Sequence, residues 1–323
     1  MRYYDIVITD SKTGKIINQF TSLNSDNSNN GAALQVELDM FQNFFHAPAQ
    51  NPYIKITGVT YETISQASNL NNQTISVSVG MNIGLPLANP QERGIVLQGT
   101  IWQAFGNWQG NEVSLHLIVV PLIYDSTKEP NLTGIWYKGT TMQKFVTSTL
   151  NQAFPGVNIT GNFSTNLVYT EDQPFYNYNL QQFSEKMNEL SKYIIKDPKY
   201  IGASIASTSN GFVLSDGIGD TGQSNSLTNP TQISYYDIIG NLTWLDLYTI
   251  QAKVVMRGDL TVGQYIKFPK GAPLLNTTNS FTQFRNDISF QGTFQIQQIR
   301  HVGNSRQADA NSWCSVIDAY ISQ

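Results

Sequence analysis

Residues 292–317, with the sequence GTFQIQQIRHVGNSRQADANSWCSVI, contain the pattern that decides the fold. Phe294 and Ile296 alternate with polar residues, and Trp313 opens a second apolar run. Such alternation is typical of half-buried strands, and the polar residues 303–312 connect the two runs as a loop. The stretch predicts an antiparallel hairpin in which the Trp313 indole covers the inner end of a C-terminal barrel, opposite Phe294 or Ile296.

The composition is poor in charge. Charged residues make up 13% of the 323 residues, about half of ordinary usage. Uncharged polar surfaces favour assembly, because no ion has to leave water when two of them meet. The length exceeds one compact core and predicts two or three domains. The net charge of −4 argues against a general nucleic-acid binder but allows a channel that DNA passes without binding.

Cysteine and histidine are scarce. Cys314 is the single cysteine, which excludes an internal disulfide framework and a cysteine-rich metal site. His46, His116 and His301 are far apart and have no second ligand at metal-binding spacing, so we expect neither a metal nor a cofactor. The sequence has no run of about 18 apolar residues and begins with a strand pattern, so neither a membrane span nor Sec-type export is expected.

The first part of the chain has the pattern of short strands. Apolar runs on both sides of an Asp10–Gly14 turn predict a hairpin over residues 3–20. Residues 33–40 alternate strictly, as in a half-buried strand. We predict a sandwich or closed barrel over residues 1–125. Its inward residues in 33–40 are Leu34, Val36, Leu38 and Met40, and its further strands are Tyr53–Ile56, Thr74–Val79, Gly94–Phe105 and Glu112–Val120.

Residues 126–200 change to a helical period. Thr140 is a predicted N-cap of one helix, and a second helix is predicted to start near Asn179. With one or two strands in 157–168 between them, the region is predicted to be a small α+β domain. The apolar helix faces are Met142, Phe145, Val146, Leu150 and Ala153, and Leu180, Phe183, Met187, Leu190 and Ile194.

Residues 201–323 return to a β pattern after a loop-rich acidic segment. Residues 201–252 contain four Asp but no Lys or Arg. We therefore predict a mainly β fold with a small α+β insertion, in which two tube-like β-barrel domains, 1–125 and 201–323, flank the helix-containing domain. The predicted strands of the last domain are Leu247–Val255, Tyr265–Phe268, Thr293–His301 and Cys314–Ile321.

Two motifs in the acidic segment are interpreted as loop. Gly217–Gly222 matches G-x-G-x-x-G, but a dinucleotide site needs a helix that begins within the motif, and Asn-, Ser- and Thr-rich sequence follows instead. Asp216 and Asp220 lack the spacing and the terminal glutamate of an EF-hand loop.

Candidate catalytic residues are few. Neither G-x-S-x-G nor a Walker loop is present, although a triad needs no local signature. A peptidoglycan hydrolase would need an acidic pair in a cleft, for which Glu171–Asp172 and Glu185–Glu189 are the candidates. The second pair has the i,i+4 spacing of a solvent-facing helix pair, so we expect the chain not to be an enzyme.

The residues from 257 onward resemble a known family. Arg257-Gly258-Asp259-Leu260 precedes an apolar strand at 262–268. A strand ending in His301-Val302-Gly303 and a final strand led by Trp313 follow. This order resembles the last barrel strands of baseplate hub proteins of contractile-tailed bacteriophages. The likeness covers most of the chain in outline, is specific mainly in residues 257–317, and gives 201–252 no clear counterpart. The matching structural positions are Gly258, Asp259, Gly292, Phe294, His301, Gly303 and Trp313.

The resemblance implies a structural component of the virion. Each protomer of such a hub contributes two tube-like barrels, so that a homotrimer forms a pseudo-sixfold ring. The ring joins the sixfold tail tube to the trimeric spike and surrounds the channel for DNA passage. The implied partners are the tail tube protein, the central spike protein, baseplate wedge proteins and the tape measure protein. The implied location is the baseplate of the phage tail, after synthesis in the host bacterial cytoplasm.

Two other structural functions stay open. A tail-tube or distal-tail protein would form plain sixfold rings, but such proteins usually need one barrel only. A receptor-binding or carbohydrate-binding tail protein would stack aromatic side chains on sugars, although a place in the barrel core or at an interface is the more common use of these residues. The candidate aromatic residues are Trp102, Trp108, Tyr235 and Tyr236.

Overall fold

Strands dominate the protein. A computed structural model describes residues 1–43, 51–83, 89–122, 130–177, 179–197, 200–208, 211–216, 229–246, 248–269, 290 and 292–322. Its two long helices lie in the middle of the chain, so the predicted mainly β fold with a small helical part is confirmed.

The elements follow the predicted order. The helices are α1 (Tyr61–Ser65), α2 (Met142–Ala153) and α3 (Leu180–Ile195). The strands before α2 are β1 (Arg2–Thr9), β2 (Ile16–Thr21), β3 (Gln35–Asn43), β4 (Tyr53–Thr57), β5 (Thr74–Met81), β6 (Gly94–Gln109), β7 (Glu112–Val120) and β8 (Leu132–Trp136). Those after it are β9 (Ile159–Asn162), β10 (Gln173–Asn177), β11 (Ser204–Thr208), β12 (Gly211–Ser215), β13 (Thr231–Gln232), β14 (Thr243–Trp244), β15 (Thr249–Val255), β16 (Tyr265–Lys267), β17 (Thr293–Asn304) and β18 (Trp313–Ser322).

One large sheet contains strands from both ends of the chain. Its order is β14-β15-β18-β17-β3-β4-β7-β6-β5-β1-β2, with β16 paired to β17 and β13 to β16. β17 joins the two halves, because residues 293–303 pair with β18 while residues 298–304 also pair with β3. The two regions predicted as barrels are therefore parts of one hydrogen-bonded sheet.

Local sequence signals were accurate in most places. β1 and β2 form the predicted hairpin around the Asp10–Gly14 turn, where Asp10 accepts from the backbone N–H of Thr13. β3 buries Val36, Leu38 and Met40 on one face as predicted.

Two boundary predictions need correction. The N-cap of α2 is Thr141, not Thr140, since the Thr141 hydroxyl accepts from the N–H of Lys144 while Thr140 donates to the carbonyl of Tyr137. The loop predicted from Gly303 begins later, because β17 continues to Asn304 in its pairing with β3. The N-cap predicted at Asn179 is confirmed.

Three hydrophobic cores organise the molecule. One lies in the N-terminal β region and a second among β14–β18, while the third lies around α2 and α3. The third core also takes in residues of β11 and β12, and β12 pairs in parallel with β9. The packing of the helical unit thus extends beyond residue 200.

None of the helices in the described part of the chain has the length and apolar character needed to cross a membrane.

Candidate functional site

Two glycines bring the N-terminal and C-terminal β regions into backbone contact. The N–H of Gly258 donates to the carbonyl of Glu92 at 2.8 Å. A Cβ added to Gly94 would lie 2.2 Å from the carbonyl oxygen of Gly258, and one added to Gly258 would lie 2.4 Å from the Gly94 nitrogen. Because real Cβ atoms do not approach backbone so closely, no other residue fits at either position. We call the surroundings of this contact the junction.

A buried arginine holds the junction electrostatically. Two nitrogens of the Arg257 guanidinium donate to the Asp259 carboxylate, Nε to Oδ1 at 3.0 Å and Nη2 to Oδ2 at 2.6 Å. Nη1 lies 3.1 Å from Asp237 Oδ2 and 3.4 Å from Glu92 Oε1. These carboxylates come from both β regions. The planar guanidinium therefore connects the two regions through hydrogen bonds and ion pairs of fixed geometry.

Burial and the neighbouring charges shift the pKa values of these groups. It raises the pKa of Glu92, an effect that Arg257 opposes and that Asp237 reinforces. Burial alone would lower the pKa of Arg257, but its hydrogen bond and ion pair with Asp259 raise it on balance. The arginine therefore stays charged, and the carboxylates around it supply the compensation that a buried cation requires.

His301 lies within the same region and is fully buried. Its Nδ1 is 2.9 Å from Ser315 Oγ, which also accepts from the backbone N–H of Arg257 at 3.1 Å. Nε2 has no hydrogen-bond partner among the described residues. Burial lowers the pKa of His301 to about 4, so the imidazole is neutral at pH 7.

Trp313 does not lie where the sequence predicted. Its side chain belongs to the N-terminal core, and its Nε1 donates to the carbonyl of Gly80 at 2.9 Å. It pairs with Gly303, where an added Cβ would lie 2.5 Å from the indole ring. The predicted place opposite Phe294 or Ile296 was wrong because Trp313 is at the other end of β18, whose residues 319 and 321 face those side chains.

The remaining two signature positions lie away from the junction. Phe294 packs in the C-terminal core, with ring centroids 6.2 Å from Trp244 and 5.6 Å from Phe268. Gly292 precedes β17 with φ +127°, a conformation that favours glycine. Gly258 and Asp259 thus lie at the junction, and His301 connects to it through Ser315. Gly303 and Trp313 pack against each other, with the indole hydrogen-bonded to the Gly80 carbonyl.

Sequence reasoning missed three residues of the junction: Gly94, Glu92 and Asp237. Their contacts with residues 257–259 join segments that are distant in the chain, so no spacing pattern shows them. One signal was available: Arg257 lies two residues before Asp259 and shortly after residues 201–252, which contain no Lys or Arg.

The candidate catalytic residues do not form a site in the described part of the chain. Glu189 pairs with Lys186 on the exposed face of α3, and Glu185 accepts from Gln181. Asp172, next to Glu171, is exposed and accepts the N–H of Lys138. No acidic pair lies in a cleft there.

One arrangement on the outer side of the sheet has the spacing of a nucleophile and a base. Ser114 Oγ is 2.9 Å from His116 Nε2, and Tyr53 Oη is 2.6 Å from His116 Nδ1. Phe105 stacks on the imidazole at 4.9 Å, and Ser114 is 4% exposed, so a substrate does not reach the hydroxyl. A phenol stands where a triad has a carboxylate. The arrangement is structural.

The candidate ligand residues are likewise used within the fold. Asp216 is buried, and its Oδ2 accepts from the N–H of Ser164 and the hydroxyl of Tyr200. His46, Asp220 and Gly217–Gly222 lie outside the described residues. The described residues contain no group of three or more His, Cys, Asp or Glu suited to a metal ion.

Comparison with solved structures identifies the fold. The 43 kDa tail protein of prophage MuSo2 from Shewanella oneidensis superposes with a TM-score of 0.52 at 8% identity, covering 99% of this chain and 97% of that one. The fold is that of a phage tail protein. The Escherichia coli c3393 protein superposes with a TM-score of 0.50 at 11% identity, over 90% of this chain and 73% of that one. It is a component of the type VI secretion system with structural similarity to the bacteriophage T4 tail proteins gp27 and gp5.

A third match extends the comparison to a secretion complex. A chain of the half-lidded Francisella PdpA–VgrG complex gives a TM-score of 0.50 at 10% identity, over 99% of this chain and 58% of that one. No protein-family model and no curated protein matches the sequence. At such low identities the shared feature is the fold, which agrees with the resemblance found in residues 257–317.

Proposed function

We propose that the protein is the central baseplate hub of a contractile phage tail. Three copies form a pseudo-sixfold ring that joins the sixfold tail tube to the trimeric spike. The tail tube, spike, wedge and tape measure proteins are its partners, and the virion is its location. The tail-protein fold and the presence of two β regions in one chain support this proposal, with domains at 1–125, 126–200 and 201–323.

The observation that carries the proposal is one continuous, charge-balanced face of the large sheet. Strands β15, β18, β17, β3 and β4 lie side by side across both β regions. Their inward side chains fill the cores, so their alternate residues face outward. The charged residues on these strands are three cations, Lys55, Lys253 and Arg300, and three carboxylates, Glu37, Asp39 and Asp318.

Most of these charges are neutralised within the face. Lys55 lies 3.5 Å from Glu37, and Arg300 Nη2 lies 2.5 Å from Asp39. Asp318 accepts from two glutamine amides, and Lys253 donates to Asn311 at 3.1 Å. Free cations would hold DNA phosphates by releasing counterions. Two of the three cations are paired with carboxylates, and a face with few free cations suits the wall of a channel that DNA passes without binding.

Ring symmetry is the decisive measurement. Electron microscopy and mass photometry of the purified chain, alone and with its tail tube protein, are expected to show three copies per ring. A stable ring of six copies would favour the tail-tube or distal-tail alternative instead.

The wall proposal has its own test. Glu37→Gln with Asp39→Asn leaves Lys55 and Arg300 without carboxylates, so we expect DNA retention at low salt that falls as salt rises. Wild-type protein should not retain DNA. If the double variant also fails to retain DNA, this face does not line the channel.

The carbohydrate-binding alternative keeps one supporting observation. Trp102, Trp108, Tyr235 and Tyr236 are all exposed rather than part of a barrel core. The rings of Tyr235 and Tyr236 meet edge to face, 6.0 Å apart, rather than presenting one flat platform for a sugar.

A further inference from the structure

The N-terminal β region has two opposite ends that differ in charge. β6 connects them, since Gly94 lies at one end and Trp108 at the other. At about 3.3 Å per residue, the two are roughly 45 Å apart. Each end exposes apolar side chains next to its charges.

One end, which we call the acidic end, consists of Tyr61, Glu62, Trp108 and Glu112. Trp108 is 63% exposed and Tyr61 57%, and their rings meet edge to face at 5.1 Å. Glu62 follows Tyr61 on α1, and Glu112 pairs with Gln109 at the tip of the β6–β7 hairpin. Both carboxylates are exposed.

No cation from the neighbouring sequence balances the acidic end. Residues 56–92 and 94–127 contain no Lys or Arg. The turn between β1 and β2 carries Lys12 and Lys15, but it lies level with Thr74, which pairs with Thr100. The β6–β7 hairpin continues past that level to Gln109.

The other end, which we call the basic end, consists of Arg2, Ile83, Arg93 and Arg306. Ile83 is 71% exposed. Arg2 pairs with Met81 at the end of β5, two residues before Ile83, and Arg93 directly precedes β6. The end thus combines an exposed aliphatic side chain with three guanidinium groups.

These guanidinium groups have no carboxylate within salt-bridge distance among the described residues, although at Arg2 the lowering of the pKa by burial is opposed by the Asp309 carboxylate. None of them forms a salt bridge there; each donates to uncharged oxygens instead. Arg93 Nε bonds the carbonyl of Met81 at 3.0 Å, Arg2 bonds that of Asp309 at 2.7 Å, and Arg306 bonds that of Gly31 at 3.4 Å. Each keeps its positive charge; Arg306 is exposed, and Arg2 and Arg93 are half-buried.

We propose that the acidic end of one copy docks head to tail on the basic end of a second copy within the hub ring. The inference rests on the proposed function and names the surfaces that hold the ring together. Arginine beside tryptophan and tyrosine adds cation–π attraction to the charge pairing. Two different complementary surfaces on each copy form a heterologous contact, which yields a closed ring when the rotation between copies closes.

Charge reversal with rescue tests the contact. One double variant carries Glu62→Lys and Glu112→Lys, and a second carries Arg2→Glu and Arg306→Glu. Each is expected to raise the concentration at which rings dissociate by at least about tenfold, because like charges then face each other. The variant with all four changes is expected to return to near the wild-type value. Analytical ultracentrifugation measures association, and thermal melting confirms that every variant folds.

Controls and outcomes separate this contact from the hub proposal. Tyr176→Ala removes an aromatic side chain that is 81% exposed but lies on neither end, and it should leave association unchanged. Rings that tolerate all the reversals overturn the contact and leave the hub proposal standing. Loss without rescue in the fourfold variant, or a wild type monomeric at every soluble concentration, also overturns the contact. The ring-symmetry measurement decides the hub proposal separately.

Discussion

At the scale of single residues, Arg257 is a buried cation that depends on the carboxylates around it. It is 3% exposed and lies among Glu92, Asp237 and Asp259. Arg257→Met would leave these carboxylates close together without their cation. We expect the free energy of unfolding to fall by about 3–5 kcal/mol, as measured by urea denaturation.

The matched control is Arg300→Met, on the same sheet. Arg300 also bonds an aspartate at two points, but both side chains are about half exposed, at 50% and 40%. Its loss should cost about 0–1 kcal/mol. Equal losses in the two variants would mean that the buried cluster does not hold the junction.

His301 makes stability depend on pH. Its pKa in the folded state is about 4, below the ordinary 6.5, so the unfolded chain binds the proton more tightly. Stability should therefore be full above about pH 6.5 and fall by about 3 kcal/mol in total as the pH drops through 4. Melting of wild type and His301→Gln across pH 4–7 checks this.

The difference between the two proteins isolates the histidine. Glu92 and Asp318, whose pKa values burial raises, titrate in both and act in the opposite direction. The variant should lose less stability over this range. Parallel curves for the two proteins would show that His301 does not titrate in this way.

At the scale of elements, the approach of β6 to the segment after β15 depends on Gly258. A Cβ there would lie 2.5 Å from the carbonyl oxygens of both Gly94 and Val79. Gly258→Ala must move backbone, so we expect a loss of about 3 kcal/mol or more in chemical denaturation.

Gly31→Ala is the control for the glycine change itself. No atom lies within 4 Å of a Cβ added to Gly31, so stability should stay level or rise by up to about 1 kcal/mol. If Gly258→Ala is equally harmless, the backbone at the junction accommodates a Cβ and Gly258 is not required there.

Trp313 at the start of β18 fixes the last strand to the N-terminal core. Trp313→Ala removes a nearly buried indole from the N-terminal core and its hydrogen bond to Gly80. We expect a loss of about 3–5 kcal/mol and a loss of ring formation, since the indole connects β18 to the opposite half of the sheet.

Arg306→Ala should stay within about 0.5 kcal/mol of wild type because the side chain is exposed. The melting temperatures of both variants test the effect on stability, and the oligomer size of Trp313→Ala is compared with that of wild type, because Arg306 belongs to the basic end. A Trp313→Ala protein that melts normally and still forms rings would contradict the importance of this strand.

At the scale of the whole molecule, the shared sheet predicts cooperative unfolding of the two β regions. Val36→Ala acts on the N-terminal core and Ile317→Ala on the C-terminal core. Both should lower the same calorimetric transition, because β17 belongs to both regions. Two separate β transitions, each lowered by one variant, would show that the regions unfold independently.

The sequence predicted the individual strands and helices but not how the strands pair with one another. Strict alternation in 33–40 and the cap at Asn179 are local signals, and both were read correctly. The pairing of β17 with β3 joins residues more than 250 positions apart, as in Arg300 with Phe41, and leaves no periodic trace. The position of Trp313 was predicted wrongly for the same reason. Alternation shows on which face of a strand a side chain lies, but it does not show which hydrophobic core that face packs against.

β17 also determines how the molecule bears mechanical force. It is held along its length by seven residue pairs with β3 and by its pairing with β18 on the other side. A pull along the strand must shear all seven pairs together, whereas a pull across it would open them one at a time. Single-molecule stretching should therefore show a higher rupture force with attachment points at residues 43 and 304, which lie at opposite ends of the paired stretch and shear it, than at residues 37 and 304, which open it from one end.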